Sequence, residues 1–287
     1  MTDQAATATA ESLADELFTL RDLLRHAVSQ FTRAGIAFGH GAGNAVEEAV
    51  FLLLEALRLP VADVNPWADA RLPRAERLRL LQLVEQRVRL RKPAAYLLNA
   101  AYMHGERFYV DERVLVPRSF IGELLFSDLI GDDEMALISD PEEISSVLDL
   151  CTGSGCLAVL AARVFPAAAI DAADISADAL EVAAINLAEK DLRDRIALRR
   201  SDLFAGLEGR RYDLIISNPP YVTEEEMAEL PPEYAAEPAL GLVAGEDGLD
   251  IVRRILTQAA DHLNPGGGLL VEIGTGREAL EAALWQL

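Results

Sequence analysis

Short apolar runs alternate with stretches of helical periodicity from residue 146 to residue 273. The apolar runs predict strands at 146–150, 169–174, 196–200, 212–217 and 268–273, and the stretches between them predict helices near 156–164, 177–190 and 249–263. This alternation is typical of βαβ units, in which helices connect the parallel strands of one sheet. We therefore expect an α/β fold with a doubly wound sheet, which binds ligands at the carboxyl ends of its strands.

Local signals mark the ends of two of these helices. Ser176 is a favourable N-cap for the helix near 177–190, because its hydroxyl can accept a hydrogen bond from a free N–H of the first turn. Asn264-Pro265-Gly266 predicts the end of the helix near 249–263.

The preceding residues form a separate helical region. Apolar side chains recur there at a spacing of three to four, as at Leu13, Leu17, Leu20, Leu24, Val28, Val46, Val50 and Leu53, and Pro73 predicts the start of a third helix. We expect a helical domain at 1–104, a hairpin or extended linker at 105–120 and the sheet domain at 121–287. The helical domain has no catalytic constellation, so partner docking and dimerisation both remain open as its role.

A glycine-rich turn stands between the first predicted strand of the sheet and its helix, in VLDLCTGSGCLAVL. Gly153 and Gly155 permit a sharp turn and let a ligand lie against backbone N–H groups at the start of a helix. Asp174 ends the next strand, twenty-one residues after Gly153. A carboxylate at that place can accept both hydroxyls of a ribose. The two features together predict a ligand that contains a nucleoside.

Two details argue against a nicotinamide dinucleotide. The turn lacks the third glycine of the G-x-G-x-x-G pattern, and Asp149 ends the strand where it would repel a pyrophosphate. S-adenosylmethionine fits both details, because it carries a ribose and an ammonium group but no phosphate. Asp149 has an alternative role as a simple cap of the turn. After the third strand, Asp202 is placed to meet the adenine amino group, and Leu203 is a candidate apolar wall for the ring.

The tetrapeptide Asn218-Pro219-Pro220-Tyr221 follows the fourth predicted strand. Its prolines fix the backbone and have no N–H, so the carbonyls of Asn218 and Pro219 remain available as acceptors. An asparagine oxygen and a proline carbonyl can accept both hydrogens of a planar –NH₂ group, on which Tyr221 can stack. Such hydrogen bonds push electron density back to the nitrogen, so catalysis would rest on positioning and dipoles. The alternative is a rigid turn without chemistry.

At these motifs the chain resembles the class I S-adenosylmethionine-dependent methyltransferases, which have a Rossmann-like sheet. Within them it is similar to the HemK/PrmB-like enzymes, which methylate a glutamine side-chain amide in translation proteins. The resemblance covers nearly the whole chain, including the helical domain, KPAAYL, FYVDERVLVPRS, LDLCTGSG, SDLF, NPPY and EPALGLVAGEDGL.

The resemblance assigns roles to the residues of these motifs. It implies that S-adenosyl-L-methionine is the cofactor and that Asn218, Pro219, Pro220 and Tyr221 hold the glutamine amide. The candidate cofactor-binding residues are Asp149, Cys151, Thr152, Gly153, Ser154, Gly155, Asp174, Ile175, Asp202, Leu203 and Asn218.

This family has two main branches, one acting on the GGQ glutamine of peptide-chain release factors and one on the third ribosomal protein of the large subunit. The segment 117–123, the two cysteines around the glycine turn and Gly39-His40-Gly41 resemble the ribosomal-protein branch. Phe120 stands where that branch usually has proline. We expect a ribosomal protein as substrate, with a release factor as the alternative.

The chain is strongly acidic, with 26 Lys and Arg against 47 Asp and Glu and a net charge of −21 over 287 residues. A protein that grips nucleic acid neutralises phosphates with basic side chains, so this charge argues against such a partner. An adenine amino-group methyltransferase remains an alternative, because the tetrapeptide suits any planar –NH₂ group. A basic protein partner suits the charge better, although an acidic surface can also serve solubility alone.

The segment after the tetrapeptide holds six glutamates and neither lysine nor arginine between residues 222 and 238. One interpretation is a solvated loop. The other is an acidic rim that steers a basic ribosomal protein into the cleft and mainly raises the association rate.

Three further expectations concern environment and extent. Cys151 and Cys156 are expected to be small core residues, because no zinc spacing appears among the cysteines and histidines. We expect no metal, no membrane span and a cytoplasmic location. The methyltransferase fold normally closes with two further antiparallel strands, whereas the sequence stops at Trp285-Gln286-Leu287. We therefore expect the last two strands to be missing.

Overall fold

The computed structural model describes residues 10–131 and 136–284. Its contacts divide the chain into two compact units. The first unit comprises the residues up to Ala101 together with Pro231–Ala236, and the second comprises Tyr102–Leu230 and the residues from Glu237 onward. The sequence analysis placed the boundary at 104 and did not anticipate that a short segment near residue 233 joins the helical unit.

The first unit is built from helices α1 (Leu20–Arg33), α2 (Ala45–Leu57), α3 (Arg74–Leu90) and α4 (Ala94–Leu98). Thr19 begins α1 with a capping box, in which its hydroxyl accepts from the N–H of Asp22 and the Asp22 carboxylate accepts from the N–H of Thr19. The side-chain oxygen of Asn44 caps α2 by accepting from the N–H groups of Val46 and Glu47. The apolar stripes of the helices meet in one core that includes Leu20, Leu23, Phe31, Leu52, Leu53, Leu80 and Val84.

A buried ion cluster lies inside this helical unit. The fully buried guanidinium of Arg87 donates to the carboxylate of Glu48, and its Nη1 lies 3.7 Å from Oε1 of Glu233. Glu233 is also fully buried, accepts from the N–H of Ala37 at 3.1 Å and pairs with Arg91 at 2.9 Å. Buried charges are stable only when paired and hydrogen-bonded, so this cluster holds the short segment around residue 233 within the helical unit.

Over the described ranges, the second unit contains six α-helices and seven strands, of which the first begins at the boundary residue Ala101. Their bounds are β1 (Ala101–Met103), β2 (Glu106–Phe108), α5 (Phe120–Leu125), β3 (Ser146–Leu150), α6 (Cys156–Val164), β4 (Ala169–Asp174), α7 (Ala177–Glu189), β5 (Ile196–Arg200), β6 (Tyr212–Ser217), α8 (Glu224–Glu229), α9 (Asp250–Ala259), β7 (Leu263–Val271) and α10 (Arg277–Leu284). β1 and β2 form a hairpin. β3 to β7 form one sheet in the order β5-β4-β3-β6-β7 with every pair parallel.

Helices cover both faces of this sheet. Side chains of β3 alternate between the faces, so Val147 packs in a core cluster with residues of α6, and Leu148 packs in another with Ile255 of α9. Strands buried on both sides are near-continuous apolar runs, which is why the sequence revealed them. The α/β fold with a doubly wound parallel sheet is therefore confirmed.

Four of the predicted strands have the predicted bounds, and the fifth begins earlier than expected. The helix predicted near 249–263 consists of α9 and a following 3₁₀ turn at Ala260–His262, so it ends before Asn264-Pro265-Gly266 as expected. These three residues were not expected to belong to a strand, yet they lie in β7. The pairing of β6 with β7 is irregular here, with Tyr212 opposite Leu263 but Leu214 opposite Gly268. A proline fits such an irregular stretch, since no ladder hydrogen bond is needed from it.

The hairpin also differs in position from the predicted one. The turn lies at His104-Gly105, whose φ angles of +48° and +75° suit a tight two-residue connection, and residues 109–116 form no strand. That the last two strands are missing remains a prediction, and residues 285–287 lie outside the described part of the chain. No helix among the described residues has the length and apolar character required to cross a bilayer.

Candidate active site

The carboxyl ends of four neighbouring strands bring the predicted site residues to one edge of the sheet. β3 ends at Leu150 before the glycine turn, β4 ends at Asp174, β5 ends two residues before Asp202, and β6 ends directly before Asn218. Since the strand order is β5-β4-β3-β6 and all pairs are parallel, these ends lie side by side. This edge is where doubly wound sheets bind their ligands.

The turn after β3 is closed by main-chain hydrogen bonds. The N–H of Thr152 donates to the carbonyl of Ala173 at 3.0 Å, and the N–H of Gly153 donates to Oδ2 of Asp174 at 2.9 Å. Gly153 has a φ of +57°, and a Cβ at this position would meet no atom within 4 Å. The turn therefore leaves open space over Gly153, beside the carboxylate of Asp174, before Gly155 begins α6.

The helix α7 holds one further residue of the turn, and Cys151 has an unusual backbone angle. The carbonyl of Ser154 accepts from the side-chain amide of Asn186 in α7 at 2.9 Å. Cys151 has a left-handed φ of +59°. Burial raises the pKa of the Cys151 and Cys156 thiols to about 12, so both are neutral at physiological pH.

Asp149 is fully buried beneath this turn. Its Oδ2 accepts from the hydroxyl of Thr152 at 2.5 Å and from the N–H of Ala158 at 3.0 Å, as a cap of the turn would. Its Oδ1 is buried without a hydrogen-bond partner among the described residues. Burial raises the pKa of this carboxyl to about 7. An unsatisfied buried oxygen is costly, so the site is suited to a bound donor such as an ammonium group.

Asp174 is held in place by backbone donors. Its Oδ1 accepts from the N–H of Ser176 at 2.9 Å, in addition to the bond from the glycine turn. Burial raises the pKa of the Asp174 carboxyl. The next side chain, Ile175, is 47% exposed at the same edge. A fixed acceptor next to an exposed apolar side chain is an arrangement that fits an adenosine.

The two residues predicted to meet the adenine differ in exposure. Asp202 is half exposed, and its Oδ1 accepts from Arg254 at 2.8 Å, so its other oxygen is the one suited to an adenine amino group. Leu203 is only 6% exposed and packs in a core cluster with Leu150 and Ile255. Leu203 is therefore a core residue beneath this edge, and little of its side chain is exposed for contact with an adenine ring.

Asn218 begins the tetrapeptide with its side chain fixed in orientation. Its Nδ2 donates to the carbonyl of Arg118 at 2.9 Å. This bond makes Oδ1 the end of the amide that is suited to accept a hydrogen bond from a substrate. The preceding residue, Ser217, is fully buried and donates to the carbonyl of Leu150 at 2.9 Å, which fixes the end of β6 against the end of β3.

Arg118, whose carbonyl orients the Asn218 amide, is itself held by an ion pair. The guanidinium of Arg118 donates to both carboxylate oxygens of Glu237, at 2.8 and 2.7 Å. Glu237 is only 5% exposed and also accepts from the N–H of Val116. Bidentate pairs of this kind fix geometry as well as supply energy, so the backbone at residue 118 is a rigid support for Asn218.

Glu272 follows β7 and joins two other parts of the site. Its Oε2 accepts from the hydroxyl of Ser119 at 2.6 Å and from the N–H of Phe120 at 3.1 Å, at the start of α5. Its Oε1 lies 3.5 Å from the hydroxyl oxygen of Tyr221. One carboxylate therefore links the start of α5 to the tyrosine of the tetrapeptide.

Tyr221 packs against a residue that must be small. Gly274 has a φ of +52°, and a Cβ there would lie 2.5 Å from Cδ2 of the tyrosine ring. Any larger side chain at Gly274 would displace the ring. Sequence reasoning identified Tyr221 but missed Gly274, because nothing in the local sequence shows which glycine faces the ring.

Other contributors were missed for the same reason. The bonds from Glu272 and Glu237 connect positions more than a hundred residues apart, at separations of 153 and 119 residues. The segment VPRS was noted for its resemblance, and this is the signal that could have identified Arg118 and Ser119. The segment EPALGLVAGEDGL, which begins at Glu237, was noted for the same reason, whereas no local pattern marks Glu272.

The described side chains can hold an S-adenosylmethionine molecule. An unpartnered Oδ1 of Asp149, a fixed carboxylate at Asp174 and open space over Gly153 match an ammonium group, a ribose and the adjoining chain of that molecule. Asn218 stands at the end of the neighbouring strand with its amide oriented. The edge thus combines groups suited to a nucleoside with an oriented acceptor suited to an –NH₂ group.

Known proteins resemble this chain over most of its length. Residues 135–230 match the family described as Methyltransferase small domain. A ribosomal protein uL3 glutamine methyltransferase of Bradyrhizobium diazoefficiens is 57% identical over 273 residues, which are 95% of this chain and 86% of that protein. Proteins with the same name from Burkholderia pseudomallei and Neisseria gonorrhoeae are 54% and 53% identical, over 92% and 96% of this chain and 87% and 90% of theirs.

Proposed function

The chain belongs to the family of ribosomal protein uL3 glutamine methyltransferases, and we propose that it transfers a methyl group from S-adenosylmethionine to the side-chain amide nitrogen of a glutamine in that ribosomal protein. The observation that carries the proposal is the oriented amide of Asn218 beside the nucleoside site. The acceptor set suits a planar –NH₂ group, and the relatives named above point to glutamine as its source.

S-adenosylmethionine would supply an electrophilic methyl group on a sulfonium. Asp149 and the turn from Cys151 to Gly155 would bind its amino-acid end, because the turn offers open space above Gly153 and an unsatisfied carboxylate oxygen beneath. Asp174 would accept the ribose hydroxyls, and Asp202 would accept from the adenine amino group. Ile175 would cover the adenine ring.

The tetrapeptide would prepare the nucleophile. Oδ1 of Asn218 and the carbonyl of Pro219 would accept the two hydrogens of the glutamine amide, and the ring of Tyr221 would lie against its plane. An amide nitrogen is a poor nucleophile, since its lone pair is delocalised into the carbonyl group. Two acceptors fixed on the N–H groups restore density to the nitrogen and hold it in line for transfer.

No strong base is needed before the transfer. After the transfer the methylated amide nitrogen is positively charged and still carries both of its protons, which makes it strongly acidic. An oxygen acceptor or water can therefore remove one of these protons. The rigid supports of Asn218 and Tyr221, rather than a titrating group, would supply the rate enhancement. This accounts for a candidate site in which the described residues named above are oriented acceptors.

The protein substrate would be recognised beyond the single glutamine. A glutamine side chain occurs throughout the proteome, so specificity must come from contacts outside the tetrapeptide. We assign this role to the helical region at 1–104, which lacks any catalytic constellation, and to the acidic segment after the tetrapeptide. A ribosomal protein is basic and is made in the cytoplasm, where we place the reaction.

Transfer of a labelled methyl group tests this proposal. We expect label from S-adenosylmethionine to appear on purified uL3 and, after digestion, on one glutamine-containing peptide. Release factor and DNA are parallel acceptors, and an Asn218→Ala variant is the control for transfer by a contaminant. Label found only on the release factor would move the enzyme to the other branch of its family, and label found only on DNA would refute protein methylation.

A further inference from the structure

A cavity of about 810 Å³ lies beside Tyr221. Its walls come from the start of α5, from α8 and from the residues that follow β7. The lining residues that matter here are Phe120, Leu124, Leu230, Ile273, Glu226 and Glu229. A volume of this size is in the range of about 300–1,000 Å³ that is typical of ligand sites.

The cavity is continuous with the proposed active site. Tyr221 and Glu272 line it, and Glu272 is the carboxylate that joins the start of α5 to the tyrosine. A glutamine held by the tetrapeptide is part of a longer chain, so residues next to it must leave the site across an adjoining surface. The cavity provides such a surface.

One wall of the cavity is apolar and open. Phe120 is 77% exposed, although it is a large apolar side chain at the start of a helix. Leu124 lies one turn further along the same helix, and Leu230 and Ile273 complete the wall. An exposed apolar wall of this kind marks an interaction surface.

The part of the lining that comes from α8 carries negative charge. Glu226 and Glu229 are three residues apart on α8, so they share one helix face, and both line the cavity. No lysine, arginine or histidine is among the described residues that line it. The wall is fixed in place, because Val222 exchanges main-chain hydrogen bonds with Leu242 and Ala244 directly after the tetrapeptide.

We propose that this cavity binds the residues of uL3 that flank the methylated glutamine, with an aliphatic side chain against Phe120 and a lysine or arginine against Glu226 and Glu229. The inference rests on the proposed function. Its support is the shared wall at Tyr221, the open apolar surface and the charge that complements a basic ribosomal protein. The flanking residues thereby select the substrate, and the tetrapeptide performs the chemistry.

Steady-state methylation of uL3 tests the apolar wall. Phe120→Ala is expected to raise KM for uL3 about tenfold, which is more than it lowers kcat, and to leave the dissociation constant for S-adenosylmethionine unchanged. Phe126→Ala is the matched control, because Phe126 follows α5, is 50% exposed and does not line the cavity. Equal KM values for the two variants would overturn the proposal.

The acidic wall is tested with a charge-matched pair on one helix. Glu229→Gln is expected to raise KM for uL3 by about three- to tenfold, whereas Glu225→Gln, which removes the same charge outside the cavity, changes it by less than twofold. Peptides that span the methylated glutamine, with each lysine or arginine replaced by glutamine in turn, identify the contact. Replacing the lysine or arginine that makes the contact is expected to weaken binding of the peptide to the wild type and to have little effect on its binding to Glu229→Gln. If the two variants raise KM equally, the effect comes from net charge alone, and a contact in the cavity is refuted.

The outcomes also separate this inference from the proposed function. If wild type transfers no methyl group to uL3, the proposed function fails, whatever the variants do. If wild type methylates uL3 and all the variants match it, only the cavity assignment fails. A wild-type dimer that Phe120→Ala dissociates in analytical ultracentrifugation would assign the cavity to a second copy of the chain and overturn the proposal.

Discussion

The side-chain amide of Asn218 has its nitrogen bonded to the carbonyl of Arg118, and this single contact determines what the tetrapeptide can do. An amide rotated by half a turn would present donors to another –NH₂ group and would repel it. The bidentate pair of Arg118 with Glu237 holds the backbone at residue 118 in place. The carbonyl that orients the Asn218 amide is therefore fixed.

We predict that Asn218→Ala lowers kcat for uL3 about 10²- to 10³-fold, the loss typical of removing one preorganised hydrogen-bonding group that acts on the reacting atoms. Single-turnover transfer of labelled methyl, with both substrates saturating, measures this change. Circular dichroism at the same concentration checks that the variant is folded. A variant that keeps a wild-type rate would show that the amide is only structural.

The buried carboxyl of Asp149 predicts a specific dependence of stability on pH. Its pKa is raised by burial from 3.8 to about 7, so between these values the folded protein holds a proton that the unfolded chain has lost. The contribution of this group to the free energy of unfolding is therefore present at pH 4 and is lost as the pH rises to about 7. Asp149→Asn keeps the acceptor for Ala158 and removes the titration.

The variant is expected to gain stability relative to wild type as the pH rises from 5 to 8, by an amount on the order of a few kcal/mol, since one pKa unit corresponds to about 1.4 kcal/mol. Urea unfolding in the absence of ligand, at four pH values, measures the difference. Parallel stability curves for the two proteins would mean that Asp149 does not titrate in this range.

At the scale of elements, the end of β7 supports the start of α5 and the tetrapeptide together. Glu272 accepts from Ser119 and Phe120 at the first turn of α5 and lies beside the Tyr221 hydroxyl. We predict that Glu272→Ala lowers kcat about tenfold, because the ring and the backbone near Asn218 lose a common support.

Glu272→Gln separates support from charge, since its amide oxygen can still accept from Ser119 and Phe120. Recovery of most of the wild-type kcat in this variant is the expected result, and urea unfolding monitors stability in parallel. If Glu272→Ala changes stability alone and leaves kcat intact, Glu272 is not a positioning residue.

A second prediction concerns the short segment Pro231–Ala236, which joins the helical unit. Glu233→Ala leaves Arg87 and Arg91 without one of their buried partners, and removing one member of a buried ion cluster typically costs about 3–5 kcal/mol. Chemical unfolding should show this loss in the free energy of unfolding. Glu224→Ala, an exposed glutamate on α8, is the control and should stay within about 0.5 kcal/mol. Equal stabilities would mean that the cluster contributes nothing to the fold.

Elements with a strong local signal were predicted from the sequence with their bounds. β3, β4, β5, β6 and α6 are short apolar runs or helices with clear flanking signals. The start of β7 was missed because Asn264-Pro265-Gly266 is a helix stop in most contexts, and only its irregular pairing with β6 makes it part of a strand. The hairpin was placed too late, since β-branched residues at 109–116 gave a stronger signal than the turn at His104-Gly105.

The candidate site residues also fall into two groups, those with a local sequence pattern and those without one. The glycine turn, Asp174 and the tetrapeptide have local patterns with a physical meaning, so the sequence alone predicts them as site residues. Glu237 and Glu272 gain their position from tertiary contacts across more than a hundred residues, which no local pattern encodes. Glu233 belongs to the helical unit for the same reason.

At the scale of the whole molecule, the net charge of −21 becomes relevant to association. Charges separated by more than a Debye length, about 10 Å at 0.1 M salt, contribute little to contact energy but still steer a basic partner at low salt. Four glutamates of the acidic segment lie on α8, which follows the tetrapeptide at the carboxyl edge of the sheet, whereas Glu233 and Glu237 are buried in ion pairs and do not form an acidic rim. The charges of α8 should therefore act on the approach of the substrate more strongly than charges elsewhere.

Replacing Glu224, Glu225 and Glu226 by glutamine is expected to slow association with uL3 and to flatten its dependence on salt, without abolishing it, because most of the net charge remains. Stopped-flow measurements of the association rate between 50 and 300 mM salt test this. The matched control neutralises Asp140, Glu142 and Glu143, which precede β3 and so lie toward the amino edge of the sheet, opposite the site. It removes the same three charges, so equal salt slopes in the two variants would show that position does not matter and that the segment is not a steering rim.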